Sequence, residues 1–112
     1  MKNLWDDTDE GNTLGTIGSE GGKIIRDEEH DLGARITLEG KGDVSAASVV
    51  LDIYGVITHT CYYSSIEEAK ADLGQLKSKI EKLLYHYEID ESMRDSQWDE
   101  QMETLVNEIE SL

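Results

Sequence analysis

The chain has 112 residues and a formal net charge of −15, because 25 acidic residues outnumber 10 lysines and arginines. A chain of this length has room for one domain with one hydrophobic core. The charge argues against nucleic-acid binding, since a phosphate backbone requires a clustered positive face. No apolar run approaches the roughly 20 residues that cross a bilayer, so we expect a soluble protein without a membrane segment. The lack of an apolar leader after Met1 and the single cysteine, Cys61, favour a reducing cytoplasm.

Residues 1–22 form an acidic, glycine-rich segment that contains five of the ten glycines. Such a composition cannot build a core of its own and predicts a flexible or loosely docked N-terminal arm. Leu4 and Trp5 are candidates to anchor its end, and Leu14 and Ile17 to add a short edge strand. Residues 23–112 are expected to form a single α+β domain.

Short β-rich runs separated by polar turns occupy residues 23–63, which predicts an antiparallel meander of three to four strands. The runs cover residues 23–28, 34–39, 46–54 and 56–63. In the second run, apolar and charged residues alternate, so that one face meets the core and the other meets water. The third run is the most apolar, which favours the central position in the sheet.

The apolar period changes from 2 to 3.6 after Ser64, which predicts two helices. Ser65 and Glu68 form a capping-box pattern at the start of the first helix, at about residues 65–87. Gly74 inside this helix is expected to cost about 1 kcal/mol relative to alanine. A second apolar stripe predicts a helix at about residues 96–112, and both helices are expected to cover one face of the sheet. The apolar seam of the first helix is Ile66, Ala69, Leu73, Leu76, Ile80, Leu83 and Tyr87.

The predicted core combines the apolar faces of the two best strands with those of both helices. Its members are Leu38, Leu51, Ile53, Leu73, Leu76, Ile80 and Leu105.

Two acidic runs suggest metal binding but lack the full pattern. The run 6–11 resembles the start of a calcium loop, yet Ile17 stands at the twelfth position, where a bidentate glutamate is required. The run 27–31 scatters its side chains to both faces of a strand, and we interpret it as a solvated hairpin turn. We therefore predict no metal, no cofactor and no catalytic residue.

His59 and Cys61 lie two residues apart on a predicted strand, so their side chains share a face. A thiolate beside an imidazole is a nucleophile, and the pair supplies half of a zinc site. Packing in the core is the favoured interpretation, because cysteine is among the most often buried residues. The alternative is a small metal-binding protein or thiol enzyme that also uses His30 or His86.

The excess of acids favours a non-catalytic binding protein that engages a basic protein partner, such as an immunity-type inhibitor or a chaperone. Residues 88–112 carry nine acids and one arginine, so the predicted C-terminal helix is the acidic element. An oligomeric scaffold assembled through the helix seams is a further alternative, and the pattern does not decide between monomer and dimer. The predicted partner-binding carboxylates are Asp99, Glu100, Glu103, Glu108 and Glu110.

Overall fold

The computed structural model describes residues 5–43, 45–87, 103–104, 106–108 and 111. Within them, a five-stranded antiparallel sheet follows chain order, and a long helix packs on one of its faces. No helix in these ranges has the length and apolar character needed to cross a bilayer. The strands are β1 (Trp5–Asp7), β2 (Lys23–His30), β3 (Ala34–Gly40), β4 (Ala47–Ile53) and β5 (Ile57–Tyr63), the helix is α1 (Ile66–Tyr87), and a short 3₁₀ helix spans Thr8–Gly11.

The α+β class is confirmed, but the expected number of three to four strands is wrong. The additional strand, β1, comes from the segment predicted to be an arm, and it pairs with the end of β2. Trp5 is buried and its ring meets the ring of His30 edge-on, with 4.9 Å between the ring centroids. Lys77 of α1 lies 5.5 Å from the centroid of the Trp5 ring and 3.0 Å from the carboxylate of Glu28. These contacts attach β1 to the helix as well as to the sheet.

The third predicted strand, now β4, is an interior strand but not the central one. It pairs along all seven of its residues with β3 on one side and β5 on the other. The addition of β1 beyond β2 gives β3 two neighbours on each side, so β3 occupies the centre.

The core lies between α1 and the apolar face of β3 and β4. Five of the predicted members, Leu38, Leu51, Ile53, Leu76 and Ile80, are buried as expected. Leu73 is only partly buried against the cluster, and Leu105 lies outside the described residues.

The last turns of α1 bury Leu84, whereas the predicted seam contained Leu83, which is only partly buried. A strict heptad has a period of 3.5, and a straight helix drifts from it by about 20° per seven residues. Over the roughly five turns from Ile66 to Leu84, this drift brings the residue one position further along the chain to the core.

The start of α1 confirms half of the predicted capping box. The N–H of Glu68 donates to the hydroxyl of Ser65 at 3.1 Å. The Glu68 carboxylate accepts instead from the hydroxyl of Ser64, at 2.8 Å, and not from the backbone of Ser65. Of the predicted second helix, residues 103–104 and 106–108 are helical, and the rest of its range lies outside the described residues apart from residue 111.

Candidate functional site

The face of the sheet opposite α1 is polar. Residues that are directly paired across antiparallel strands share a face. The strand register therefore aligns one residue from each of the five strands in a row on this face. We call it the acidic row, and its members are Asp6, Glu29, Arg35, Asp52 and Thr58. The row contains three carboxylates and one cation.

Asp27 lies on the same face, beside the acidic row, and is 1% exposed. Its carboxylate accepts hydrogen bonds from Arg35 Nε at 2.8 Å and Nη2 at 2.5 Å, and from the hydroxyls of Thr8 at 2.8 Å and Thr37 at 3.2 Å. Burial acts to raise the pKa of the Asp27 carboxyl, but the hydrogen bonds, led by those from Arg35, lower the pKa below its ordinary value. Asp27 is therefore ionised at neutral pH, and Thr8 ties the 3₁₀ helix to the sheet.

Glu39 is a second fully buried carboxylate on this face. It accepts hydrogen bonds from the backbone N–H groups of Glu20 and Gly22, each at 3.1 Å. A Cβ atom at Gly18 would lie 2.3 Å from the Glu39 carboxyl carbon, so the close approach of the loop requires glycine there. Residues 18–22 are thus held on the sheet, in contrast to the predicted flexible or loosely docked arm.

A cleft of about 420 Å³ opens between the N-terminal segment and the polar face. Its volume falls in the range of small-ligand sites, about 300–1,000 Å³. Ile24 and Val50 supply apolar lining, and the hydroxyl of Thr58 donates to the Asp52 carboxylate at 3.3 Å. The other lining residues are Thr13, Thr16, Ile17, Gly18, Ser19, Arg35, Thr37 and Glu39.

Two exposed tyrosines flank the polar face. The hydroxyl of Tyr54 donates to Glu29 at 2.8 Å, and that of Tyr62 donates to Glu20 at 2.5 Å. Burial and the bond to Glu29 raise the pKa of Tyr54 above its ordinary value. Both tyrosines are therefore neutral hydrogen-bond donors at physiological pH, and they fix the positions of two carboxylates.

His59 and Cys61 lie on the helix face of β5, which confirms that their side chains share a face. Cys61 is opposite Val49 and packs against the core. Burial, with a contribution from Asp72, raises the pKa of the Cys61 thiol, so the thiol stays protonated at neutral pH.

The other histidines do not complete a site with this pair. His30 lies on β2, separated from β5 by two strands. Its Nδ1 accepts the N–H of Leu32 at 3.0 Å, so Nε2 carries the proton and donates to Glu81, also at 3.0 Å. The side chain of His86 lies outside the described residues. Among the described residues, no group of three or more potential metal ligands converges.

The interpretation of residues 27–31 as a solvated turn is wrong. Residues 27–30 belong to β2, and both Asp27 and His30 are buried. Asp27 and Glu29 face the polar side, whereas Glu28 and His30 face α1, as expected for consecutive strand residues. The run that resembles a calcium loop is divided between β1 and the 3₁₀ helix, and Asp6, Asp7, Asp9 and Glu10 are exposed there.

The predicted partner-binding carboxylates are described only in part. Glu103 and Glu108 are helical and exposed. Asp99, Glu100 and Glu110 lie outside the described residues. The structure also shows a second group of acids, those of the acidic row, on three strands of the sheet.

Comparison with known proteins gave no match to a family model, to a curated protein or to a solved structure.

Proposed function

We propose that the protein is a non-catalytic binding protein that engages a basic protein partner through its acidic surface, in the manner of an immunity-type inhibitor or a chaperone. The supporting observation is the distribution of charge along the chain. Residues 5–63 carry 12 acids and 4 basic residues, a net charge of −8, and residues 88–112 carry 9 acids and 1 arginine, also −8. Residues 64–87 carry 4 of each and are neutral.

A domain with two strongly acidic regions produces a negative field that extends beyond its surface. Such a field attracts a cationic protein, accelerates association and discriminates against acidic partners. In the acidic row, Arg35 is the one cation beside Asp6, Glu29 and Asp52, and it also binds the buried carboxylate of Asp27, so the row and Asp27 together keep an excess of negative charge. This arrangement supports a surface for a basic partner.

The internal pairing of the buried ionisable groups supports a non-catalytic role. Asp27 is bound by Arg35 and two threonines, Glu39 by backbone N–H groups, and His30 by Glu81 and Leu32. A general acid or base has to reach the proton that it transfers. These groups instead use their hydrogen-bonding capacity to hold the fold together.

We place the main partner surface on the C-terminal acidic residues Asp99, Glu100, Glu103, Glu108 and Glu110, which we call the acidic strip. The exposure of Glu103 and Glu108 supports this placement. Like charges close together repel one another, and a cationic partner relieves that repulsion.

The test begins with capture of basic proteins on the immobilised full chain and continues with stopped-flow kinetics on any partner obtained. Association is expected to slow steeply as salt rises from about 0.05 to 0.5 M, because screening shortens the range of the field. The double variant Glu103→Lys and Glu110→Lys is expected to weaken binding at least about tenfold, with most of the change in the association rate.

The matched control reverses two exposed acids elsewhere, Asp31→Lys and Glu67→Lys, and makes the same change in net charge. If binding depends on the acidic strip, the double variant at Glu103 and Glu110 weakens it more than the control variant at Asp31 and Glu67 does. Equal effects would mean that only net charge matters, and an unchanged rate and affinity in the strip variant would rule out the strip as the binding surface.

A further inference from the structure

The two edges of the sheet are built differently. At the first edge, β1 carries Asp6 and Asp7, and the N-terminal loop continues along β2 beyond it. Ile24 donates its N–H to the carbonyl of Thr16 at 2.8 Å and accepts from the N–H of Gly15 at 2.9 Å. Charged side chains and a covering loop are the usual protection of an edge strand against pairing with another chain.

Among the residues that the structure describes, none gives the second edge, β5, this protection. All seven of its residues pair with β4 without a bulge. Within the residues that the structure describes, the backbone hydrogen bonds outside the regular strands and helices do not involve β5. Its sequence contains no Asp, Glu, Lys, Arg, Pro or Gly, and it is rich in β-branched and aromatic residues, which favour strand pairing.

The lack of charged residues in β5 indicates which partner strand it pairs with. Each of the other four strands contains at least one charged residue, and β5 contains none, in a chain of net charge −15. A basic partner would gain no electrostatic attraction from these seven side chains, whereas an identical strand meets no like charge there. We propose that β5 pairs antiparallel with β5 of a second copy of this chain, which joins the two sheets into one of ten strands.

Pairing of all seven residues requires a twofold axis at Thr60. Thr60 then lies opposite itself, His59 opposite Cys61, Thr58 opposite Tyr62 and Ile57 opposite Tyr63. Aromatic and β-branched residues in direct opposition are favourable cross-strand pairs.

The carboxylates nearest to β5 are those of Glu20 and Asp72, which accept hydrogen bonds from the hydroxyls of Tyr62 and Tyr63. With the axis at Thr60, the two copies of Tyr62 are offset by about 13 Å along the strand and the two copies of Tyr63 by about 20 Å. Both offsets exceed the Debye length of about 8 Å at physiological salt, so the repulsion between equivalent carboxylates is largely screened.

Light scattering after size-exclusion chromatography tests the assembly on the full chain at roughly 0.1 mM. The wild-type chain is expected to have twice the monomer mass of 12.6 kDa. Thr60→Lys places a lysine at the axis and should yield a monomer, although it reduces the net negative charge. Gln75→Lys on the exposed surface of α1 makes the same change in charge and should leave the dimer intact.

Circular dichroism and thermal unfolding establish that each variant is folded. If Thr60→Lys does not fold, Thr58→Lys replaces it at an exposed position of the same strand face. A monomeric wild-type chain would overturn the proposal, and so would a folded edge variant that remains dimeric.

Cross-linking then tests the register in a Cys61→Ser background. Thr60→Cys brings two thiols directly opposite each other, with Cβ atoms about 5 Å apart, so a short bismaleimide should join the chains rapidly. Thr58→Cys separates the two thiols by four residues along the strand, about 13 Å, and should react slowly. Faster cross-linking through position 58 would contradict the axis at Thr60.

Discussion

The two faces of the sheet are buried by different means. The face toward α1 is covered by apolar side chains such as Leu51 and Ile53, which pack against Leu76 and Ile80. The opposite face buries the carboxylates of Asp27 and Glu39 and satisfies them with hydrogen bonds. Apolar burial is non-directional and tolerates approximate fits, whereas buried carboxylates depend on particular donors at particular positions. The same sheet thus joins a face that is stabilised by apolar packing with one that depends on individual hydrogen bonds.

The largest expected effect comes from the apolar face. Leu76→Ala should lower the free energy of unfolding by about 2–5 kcal/mol, because it removes a buried side chain and leaves a cavity in the core. Urea denaturation followed by circular dichroism measures the change. A loss below about 0.5 kcal/mol, the size of a surface substitution, would show that α1 does not pack on this face.

The corresponding test of the polar face is Asp27→Ala. We expect a loss of about 2–3 kcal/mol, since the change leaves Arg35 and two threonines without their acceptor. The value lies below that of a fully buried ion pair because the side chain of Arg35 is 35% exposed. Asp31→Ala, at an exposed acid of the neighbouring turn, is the control and should stay within about 0.5 kcal/mol. Similar losses in both variants would mean that Asp27 has no special role.

Much of the apolar face could be predicted from the sequence. The predicted helix at residues 65–87 matches Ile66–Tyr87, and the last three predicted strands differ from β3, β4 and β5 by one residue at most at each end. These elements bury apolar residues at regular spacing, and that spacing is visible in a single sequence. The pairing of His59 and Cys61 on one face follows from the same period of two.

The candidate site on the polar face was not predicted, because its partners are distant in sequence. Asp27 is bound by Thr8, 19 residues away, and Glu39 by Glu20, also 19 residues away. The sequence alone does not distinguish a buried carboxylate from a solvated one. Residues 1–22 and 27–31 therefore both resembled solvent-exposed segments. The one available signal was Trp5, a large apolar residue in a polar segment, which was expected to anchor the end of the arm and is buried in β1.

Two glycine-to-alanine substitutions compare a glycine in close contact with a neighbouring side chain, Gly18, with a glycine that has open space around it, Gly74. Gly18→Ala should lower the free energy of unfolding by about 1–3 kcal/mol, since its Cβ would overlap the Glu39 carboxylate. Gly74→Ala should raise it by about 1 kcal/mol, because no neighbouring atom lies within 4 Å of the new Cβ and alanine is the better helix former. Thermal unfolding of the two variants gives shifts of opposite sign if residues 18–22 are held on the sheet. A neutral Gly18→Ala would indicate that they are not.

We infer that an ionised Asp27 holds the polar face together, and the pH dependence of its contribution to the free energy of unfolding tests this claim most directly. The pKa of Asp27 is lower in the folded chain than its ordinary value of 3.8. The contribution of Asp27 to the free energy of unfolding is therefore fully present above the pKa that Asp27 has in the unfolded chain. It is lost as the pH falls through the pKa that Asp27 has in the folded chain. Urea denaturation of wild type and Asp27→Ala should give a constant difference in the free energy of unfolding from about pH 6 to 7, which shrinks once the pH falls below about 4. A difference that stays the same across this acidic range would contradict the claim, because it would assign the role of Asp27 to packing and not to charge.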